Sequence, residues 1–232
     1  MAVSVALAGG LLLLGLLLYW LLFLTEGAYL GRKVVVWLYD RYASRYDRIK
    51  QWSWEDQIAY LAEPFADEVG NRQQSPLILD VAAGTGQLAR AVAAAGLLPD
   101  AQWVLLDASA GMLAQARRHL GAPTQRRVYI CQPATPLPFP DDTFDVVACL
   151  EALEFMPDPA GTVAELARVL RPDGLLVVTN RIGWQARLLP GRTWSHAQIH
   201  DLWQRLGLCY VFIRPYLLDY EWVSCRKCVA SS

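Results

Sequence analysis

The chain has 232 residues, which is enough for one well-packed core with an appendage but too few for two full domains. Its formal net charge of −1 lacks the basic excess of a general nucleic-acid binder, so no nucleic-acid partner is expected. The hydrophobic fraction of 54% is above the ordinary range for a soluble protein, and much of the excess lies at the N-terminus.

The N-terminal segment is the most apolar part of the chain. From Val3 to Leu24 there is no charged residue, and leucine dominates. A helix of this length crosses roughly 30 Å of hydrocarbon, so the segment predicts one transmembrane helix. The rival interpretation is a cleaved signal peptide. It is disfavoured because no Lys or Arg precedes the run, the apolar core is long, and residues 25–28 make a poor cleavage site.

The flanking charges predict an orientation. Six basic residues follow the apolar run, namely Arg32, Lys33, Arg41, Arg45, Arg48 and Lys50. The positive-inside rule therefore predicts a single-pass membrane protein with its C-terminal bulk on the cytoplasmic side. We divide the chain into a transmembrane anchor at residues 1–30, interfacial or lid helices at 31–75, and the main domain at 76–232.

The rest of the chain alternates between strands and helices. A capping box at Ser53 and Asp56 opens a helix. Predicted strands are Leu77–Ala82, Gln102–Leu106, Arg127–Cys131, Phe144–Leu150, Leu175–Thr179, Cys209–Tyr216 and Asp219–Val229. Predicted helices between them are Gln87–Ala95, Ser109–Leu120, Pro159–Leu170 and Ser195–Leu206. This pattern predicts a Rossmann-like α/β fold: a mainly parallel seven-stranded sheet, helices on both faces, and an antiparallel last strand.

The cysteines do not indicate a secreted disulfide framework. There are five, an odd number, and their scattered positions favour a reducing setting. Four residues are of types that can bind a metal ion, namely His196, His200, Cys225 and Cys228. No metal site is expected, because two cysteines three apart on a strand point to opposite faces.

The strongest local signal is the string LDVAAGTG at residues 79–86, where a strand gives way to a helix. Small residues let the backbone approach a ligand closely, and Gly84 and Gly86 tolerate backbone angles that a side chain forbids. A tight turn without a ligand is the alternative. The next strand ends at Asp107, whose carboxylate could accept both hydroxyl protons of a ribose or simply stabilise a helix N-terminus.

With both elements present, a nucleoside-containing cofactor is favoured. The loop lacks the G-x-G-x-x-G spacing for a pyrophosphate and the G-K-[ST] string for a triphosphate. These absences disfavour NAD, FAD and ATP without choosing a replacement.

Four motifs carry a family resemblance. They are YDRYASRYD at 39–47, LDVAAGTG at 79–86, LPFPDDTFDVV at 137–147 and ELARVLRPDG at 165–174. In this order they resemble the class I S-adenosylmethionine-dependent methyltransferases, particularly the ubiquinone and menaquinone biosynthesis methyltransferases. The first motif is also similar to the opening of some bacterial phospholipid N-methyltransferases.

The resemblance implies S-adenosylmethionine as the cofactor and assigns roles to residues. The methionine part would lie against Asp80, Ala82, Gly84, Thr85 and Gly86. Asp107 would hold the ribose, Ala108 and Met112 would border the adenine, and Leu150 would lie under the sulfonium. Tyr46 would belong to a lid.

The sequence departs from the family pattern at two places. An acid usually accepts from the adenine amine shortly before the third motif, and here Gln132 stands among the candidates; its amide oxygen can still accept. Glu151 and Glu154 follow the fourth strand, where relatives often carry His or Asn. Together with His196 they are the candidate general bases, each with a surface or helix-start role as the alternative.

Our leading functional interpretation is methyl transfer to a lipophilic, membrane-associated small molecule, either a quinone-like ring or a phospholipid headgroup, since a tether concentrates an enzyme at a lipid-dissolved substrate. One alternative is a methyltransferase for a soluble metabolite or a protein, with the anchor serving location only. Another is a non-catalytic cofactor-binding or assembly protein that kept the fold. The sequence indicates no oligomeric state.

Overall fold

An apolar helix leads into the fold. In the computed structural model, which describes residues 2–50, 53–70 and 75–229, helix α1 (Ala2–Tyr19) continues as a π-helical turn, Trp20–Leu24. Within the described residues this is the one helix long and apolar enough to cross a membrane, a property it shares with signal sequences, and none of its Leu7–Leu24 window is buried. An apolar surface left uncovered by protein is what distinguishes it from a core helix.

Short helices connect α1 to the main domain. They are α2 (Arg32–Tyr42), α3 (Tyr46–Lys50), α4 (Trp54–Gln57) and α5 (Glu63–Val69), with 3-10 turns at Ala28–Leu30 and Ala43–Arg45 and a π-helical turn at Ile58–Ala62. Ser53 caps α4 as predicted, because its hydroxyl accepts from the Asp56 backbone N–H at 3.0 Å. Residues 71–74, just before the predicted start of the main domain at residue 76, lie outside the described residues.

The main domain is built on one seven-stranded sheet. Its strands are β1 (Leu77–Val81), β2 (Gln102–Asp107), β3 (Arg127–Cys131), β4 (Phe144–Cys149), β5 (Leu170–Arg181), β6 (Leu208–Leu217) and β7 (Tyr220–Lys227). The spatial order is β3-β2-β1-β4-β5-β7-β6. Strands β1 to β5 pair in parallel, and β7 is antiparallel to both β5 and β6. The predicted Rossmann-like sheet is confirmed.

Helices cover both faces of the sheet. They are α6 (Gln87–Ala94), α7 (Ala110–Leu120), α8 (Pro159–Val169), α9 (Gly183–Ala186) and α10 (His196–Arg205). One core cluster joins Ile78 of β1 to α6 and α7, and a second joins its neighbour Leu79 to α8 and α10. Because alternate strand residues point to opposite faces, one short strand supplies both cores.

The largest boundary difference concerns β5. The sequence predicts a strand from Leu175, but β5 begins at Leu170, directly after α8. Leu170 pairs with Phe144 of β4, and the register then shifts before Val146 pairs with Leu175. Residues 170–174 contain a proline and favour a turn by their local sequence. They belong to the strand because Leu170 and Leu175 pair with β4 in the folded protein.

The cysteines also differ from expectation. A disulfide joins Cys209 to Cys228, whose Cα atoms are 5.6 Å apart, whereas Cys131, Cys149 and Cys225 are free. The antiparallel pairing of β6 with β7 brings the two bonded residues together at the open end of the hairpin. Sequence spacing did not indicate this pair, because the pairing register of two strands was needed to see it.

Gly86 joins the glycine-containing turn to the packing of α7. Its φ is +76°, and an added Cβ would lie 2.8 Å from Leu120 Cδ1 and 3.2 Å from Leu105 Cδ2. Gly96 has a similar φ of +67°, but a Cβ added there would meet nothing within 4 Å. A side chain added at either glycine would strain the backbone, but only a side chain at Gly86 would also overpack its surroundings.

We predict that Gly86→Ala lowers the free energy of unfolding by about 1–3 kcal/mol more than Gly96→Ala, because only the first adds a steric clash to the positive φ. Chemical unfolding of the full chain in detergent, followed by circular dichroism, measures both variants. Equal destabilisation would show that the contacts around Gly86 relax without cost.

Candidate active site

The turn after β1 forms an open cradle. Ala82 and Gly84 have φ of +56° and +54°, and a Cβ added at Gly84 would meet nothing within 4 Å. Beside this turn lies a cavity of about 50 Å³, called here the glycine-loop cavity, which is lined in part by Asp80, Thr85 and Leu150. The bend is therefore not filled by protein side chains.

Asp107 faces a second cavity. Its Oδ2 accepts from the Gly84 backbone N–H at 2.8 Å, and its Oδ1 accepts from the Ser109 N–H at 2.7 Å. With Ala108 and Met112 it lines a cavity of about 110 Å³, the strand-end cavity. Each carboxylate oxygen keeps a lone pair for a further donor, so this side chain can still accept two hydroxyls.

Asp80 is buried and Asp107 is partly buried, and the two carboxyl groups are electrostatically coupled. Burial, with a contribution from nearby Asp107, raises the pKa of Asp80 to about 8. Burial also raises the pKa of Asp107 to about 6, against the opposing effect of its two backbone donors. Asp80 Oδ2 has no hydrogen-bond partner among the described residues. Because a buried carboxyl without a donor favours a cation, this position suits the ammonium of an amino acid.

Two further aspartates hold the segment from Tyr39 to Asp47 against these loops. Asp40 Oδ1 accepts from the Ser109 hydroxyl at 2.5 Å, and Asp47 Oδ1 accepts from the Thr85 hydroxyl at 2.6 Å. These contacts give a physical reason for the motif at residues 39–47. One aspartate binds the start of α7, and the other binds the turn after β1. Neither aspartate was predicted to have a role, although both lie in that motif.

A third and larger cavity, of about 550 Å³, lies next to the first two and is called the outer cavity. Its apolar lining residues are Leu22, Phe23, Leu38, Ile49, Phe155, Leu217 and Leu218, and its polar ones are Glu26, Tyr39, Tyr42, Tyr46, Lys50, Glu151, Arg181, Asp219 and Tyr220. Tyr46 and Glu151 line all three cavities. These two side chains therefore mark the place where the cavities meet.

Of the three candidate bases, the structure brings Glu151 to this junction. Glu151 has a φ of +51°, its N–H donates to the Thr179 hydroxyl at 2.5 Å, and its carboxylate pairs with Lys50. A non-glycine residue at positive φ is uncommon and marks a held conformation. The turn therefore fixes the direction of the Glu151 side chain.

Glu154 and His196 lie elsewhere. Glu154 lines none of the three cavities; its buried carboxylate accepts from the Tyr220 hydroxyl and lies 3.5 Å from Arg181, and burial raises its pKa. His196 Nε2 is 2.8 Å from a carboxylate oxygen of Glu221, on the exposed start of α10. Neither placement faces the space where a methyl donor and acceptor would meet.

Most of the predicted cofactor residues are gathered at the two smaller cavities, with two exceptions. Gly86 lines neither of them and serves packing instead. The Gln132 backbone N–H donates to the Asp107 carbonyl at 3.1 Å, but the exposed Gln132 side chain borders a neighbouring cavity of about 390 Å³. Its predicted contact with an adenine amine has no support from this placement.

Lys50, Arg181 and Tyr220 at the outer cavity were missed by sequence reasoning. They come from a lid helix and from two strand ends, and no motif links them. Tyr46 was predicted; burial raises its pKa to about 12, partly opposed by Lys50. The hydroxyl therefore stays protonated near neutral pH and can act as a hydrogen-bond donor.

Comparison with known families agrees with this geometry. Residues 79–178 match the family model described as a methyltransferase domain. A demethylmenaquinone methyltransferase from Clavibacter sepedonicus is 38% identical over 145 residues, which cover 61% of this chain and 55% of the relative. A ubiquinone/menaquinone biosynthesis C-methyltransferase from Geobacter sulfurreducens is 37% identical over 44% of this chain and 40% of its own length. The chain thus spans about half the length of these curated relatives.

Solved structures share the fold. A methyltransferase from Aquifex aeolicus superposes with a TM-score of 0.61 at 17% identity, covering 80% of this chain and 98% of that one. The methyltransferase bound to the Trm112 activator in Haloferax volcanii gives a TM-score of 0.65 at 20% identity, covering 82% and 98%.

The predicted resemblance is therefore confirmed. Over residues 79–178 the chain is similar to class I S-adenosylmethionine-dependent methyltransferases, in particular to those of ubiquinone and menaquinone biosynthesis, so S-adenosylmethionine is its expected cofactor. The residues present fit this cofactor: the open cradle at Gly84, the carboxylate of Asp107, and the unpartnered Asp80 oxygen match its amino-acid and ribose ends.

Cofactor binding should release protons. Asp80 is mostly protonated at pH 7 because its pKa is raised to about 8, and a cationic ammonium beside it stabilises the carboxylate. We therefore predict that binding at pH 7 releases up to about one proton and that affinity rises with pH up to about 8. Isothermal titration calorimetry of the full chain in buffers of different ionisation enthalpy measures this number.

Asp80→Asn should lose the proton release, whereas Asp100→Asn, a change at an exposed aspartate paired with Arg126, should keep it. Binding by the unmodified chain with no proton release and with affinity independent of pH would contradict the account of Asp80.

Proposed function

We propose that this protein transfers a methyl group from S-adenosylmethionine to a small, lipophilic, membrane-associated acceptor. The observation that carries the proposal is the arrangement of the cavities. The glycine-loop and strand-end cavities meet the outer cavity at Tyr46 and Glu151. The outer cavity is also lined by Leu22 and Phe23 from the end of the apolar segment. An acceptor in that cavity would touch both the reaction centre and the membrane-facing helix.

The two smaller cavities divide the cofactor between them. In this proposal Asp107 accepts from the ribose hydroxyls, with Ala108 and Met112 against the adenine. Asp80 takes the ammonium, with Gly84 and Thr85 beside it. Leu150 lines both cavities, which agrees with its predicted position under the sulfonium. When bound, the cofactor supplies an electrophilic methyl group, so the protein itself mainly orients the acceptor and excludes water.

Residues of the chain then act on the acceptor. Tyr39 and Phe155 border both the strand-end and the outer cavity and would orient a planar or apolar acceptor between them. We propose Glu151 as the group that takes a proton when the acceptor atom must lose one, with Lys50 holding its carboxylate in place. The Arg181 guanidinium can donate to an acceptor oxygen at the same wall, which agrees with the quinone methylation named for the relatives.

The membrane part of the proposal rests on how the apolar segment joins the domain. The Trp20 indole donates to the Leu188 carbonyl at 3.2 Å, and the Arg192 guanidinium donates to the Ala28 carbonyl at 2.7 Å. Thr25 and Ala28 are buried. Because the segment after the helix is packed into the fold, a retained anchor is favoured over a cleaved leader. The basic residues after it favour a cytoplasmic domain.

The acceptor class can be tested with methyl-labelled S-adenosylmethionine. The purified full chain is incubated with the lipid-containing membrane fraction of its source, and the label is then measured in the organic extract, the aqueous phase and the protein pellet. We predict that the label enters the organic extract. Label in the aqueous phase or the pellet would instead support a soluble metabolite or a protein as the acceptor, and cofactor binding without any transfer would support a non-catalytic role.

The same experiment tests Glu151 if the methylated atom bears a proton. Glu151→Gln should slow the transfer by up to about a hundredfold while the cofactor dissociation constant stays within about twofold, because the side chain acts on the acceptor. Glu221→Gln, at the carboxylate beside His196, is the matched control and should keep full activity. Equal rates for the two variants would exclude Glu151 as the base.

A further inference from the structure

Two large apolar side chains are exposed next to the outer cavity. Leu218, at the tip of the β6–β7 hairpin, is 97% exposed, and Trp184, on α9, is 63% exposed. We call these two residues the tip pair. Single exposed apolar residues are ordinary on protein surfaces. The tip pair differs from such single residues because hydrogen bonds join its two elements to each other and to the end of the apolar segment.

The tip pair is held together as one structural unit. The Gln185 amide donates to the Asp219 carboxylate at 2.6 Å, and the Ile182 N–H donates to the Asp219 carbonyl at 2.8 Å. One bond comes from within α9 and the other from the residue before it, and both end on the residue that follows Leu218. One oxygen of the Asp219 carboxylate thereby accepts a hydrogen bond from the protein, which offsets part of the cost of holding this charge near an apolar medium.

This unit is also joined to the end of the apolar segment. Two carbonyls in the segment after α9 accept hydrogen bonds from the apolar segment and the turn after it. The Leu188 carbonyl accepts from the Trp20 indole N–H at 3.2 Å, and the Pro190 carbonyl accepts from the Tyr29 hydroxyl at 2.9 Å. Phe23 and Leu218 line the same outer cavity. The tip pair therefore lies beside the last turn of the helical segment, where a membrane-spanning helix would leave the bilayer.

The side chains suit a bilayer surface. Trp is enriched at membrane–water interfaces, where its ring is partly apolar and its N–H stays near water. Arg187, three residues after Trp184, is exposed and can meet anionic headgroups. A bilayer is favoured over a protein partner because the adjoining helix exposes an apolar surface that hydrocarbon would cover.

We infer that Trp184 and Leu218 form a second membrane contact, separate from α1, that places the rim of the outer cavity on the bilayer surface. The inference rests on the proposed membrane function and extends it. Because Leu22 and Phe23 at the end of the apolar segment and Leu218 of the tip pair all line this cavity, a lipid-dissolved acceptor enters from the bilayer without crossing bulk water. The domain is thereby fixed in orientation, which a single helix does not achieve by itself.

The test uses the full chain in vesicles of phosphatidylcholine and phosphatidylglycerol in equal amounts. Cys131, the exposed free cysteine, is replaced by serine, and one fluorophore is attached at Leu218→Cys. Tyr210→Cys is the matched control. It is 83% exposed on β6 and lies about 25 Å along the hairpin from the tip. Leu14→Cys reports separately on α1.

Lipids with a nitroxide near the top of the acyl chain should quench the label at position 218, and aqueous iodide should quench it at least about threefold less than at position 210. Iodide access at 218 equal to that at 210 would overturn the inference. So would protection from iodide without lipid quenching, because that result indicates a protein contact.

Position 14 separates this inference from the proposed anchor. A lipid-quenched label at position 14 with an iodide-accessible label at 218 keeps the anchor and overturns the second contact. The reverse pattern supports the second contact and overturns the anchor. Water exposure at both positions overturns both.

Discussion

The site depends on one partly buried carboxylate, that of Asp107, at the end of β2. Its two oxygens accept from the backbone of the turn after β1 and from the start of α7, so a single side chain sets the distance between the loops that would hold the two ends of the cofactor. Burial raises the free energy of this charge, and the two backbone donors offset part of it. A further pair of donors, such as ribose hydroxyls, would stabilise the same charge.

The lid follows from that arrangement. Asp40 accepts from Ser109, which also contacts Asp107, and Asp47 accepts from Thr85 of the glycine-containing turn. The segment between them carries Tyr46 to the junction of the three cavities. Because α1 and the outer cavity adjoin this segment, the contacts that position the cofactor residues also position the acceptor space next to the apolar helix.

Sequence reasoning succeeded where the signal is local. Strand-length apolar runs, serine caps and small residues after β1 predicted the sheet, its helices and the positions of Gly84 and Asp107, since each depends on a few neighbouring residues. It failed where distant segments meet. Arg181 and Tyr220 reach the outer cavity through the pairing of β5 with β7, and Glu154 and His196 are turned to other partners by packing that no spacing rule reveals. The early start of β5 has the same origin.

The central claim is that Asp107 holds the nucleoside end of the methyl donor, and calorimetric titration of S-adenosylmethionine into the full chain tests it most directly. The account predicts that Asp107→Ala weakens binding at least about tenfold, equivalent to about 1.4 kcal/mol. Asp100→Ala, which removes an exposed aspartate paired with Arg126, should bind like the unmodified chain. Unchanged affinity in a folded Asp107→Ala variant would contradict the account.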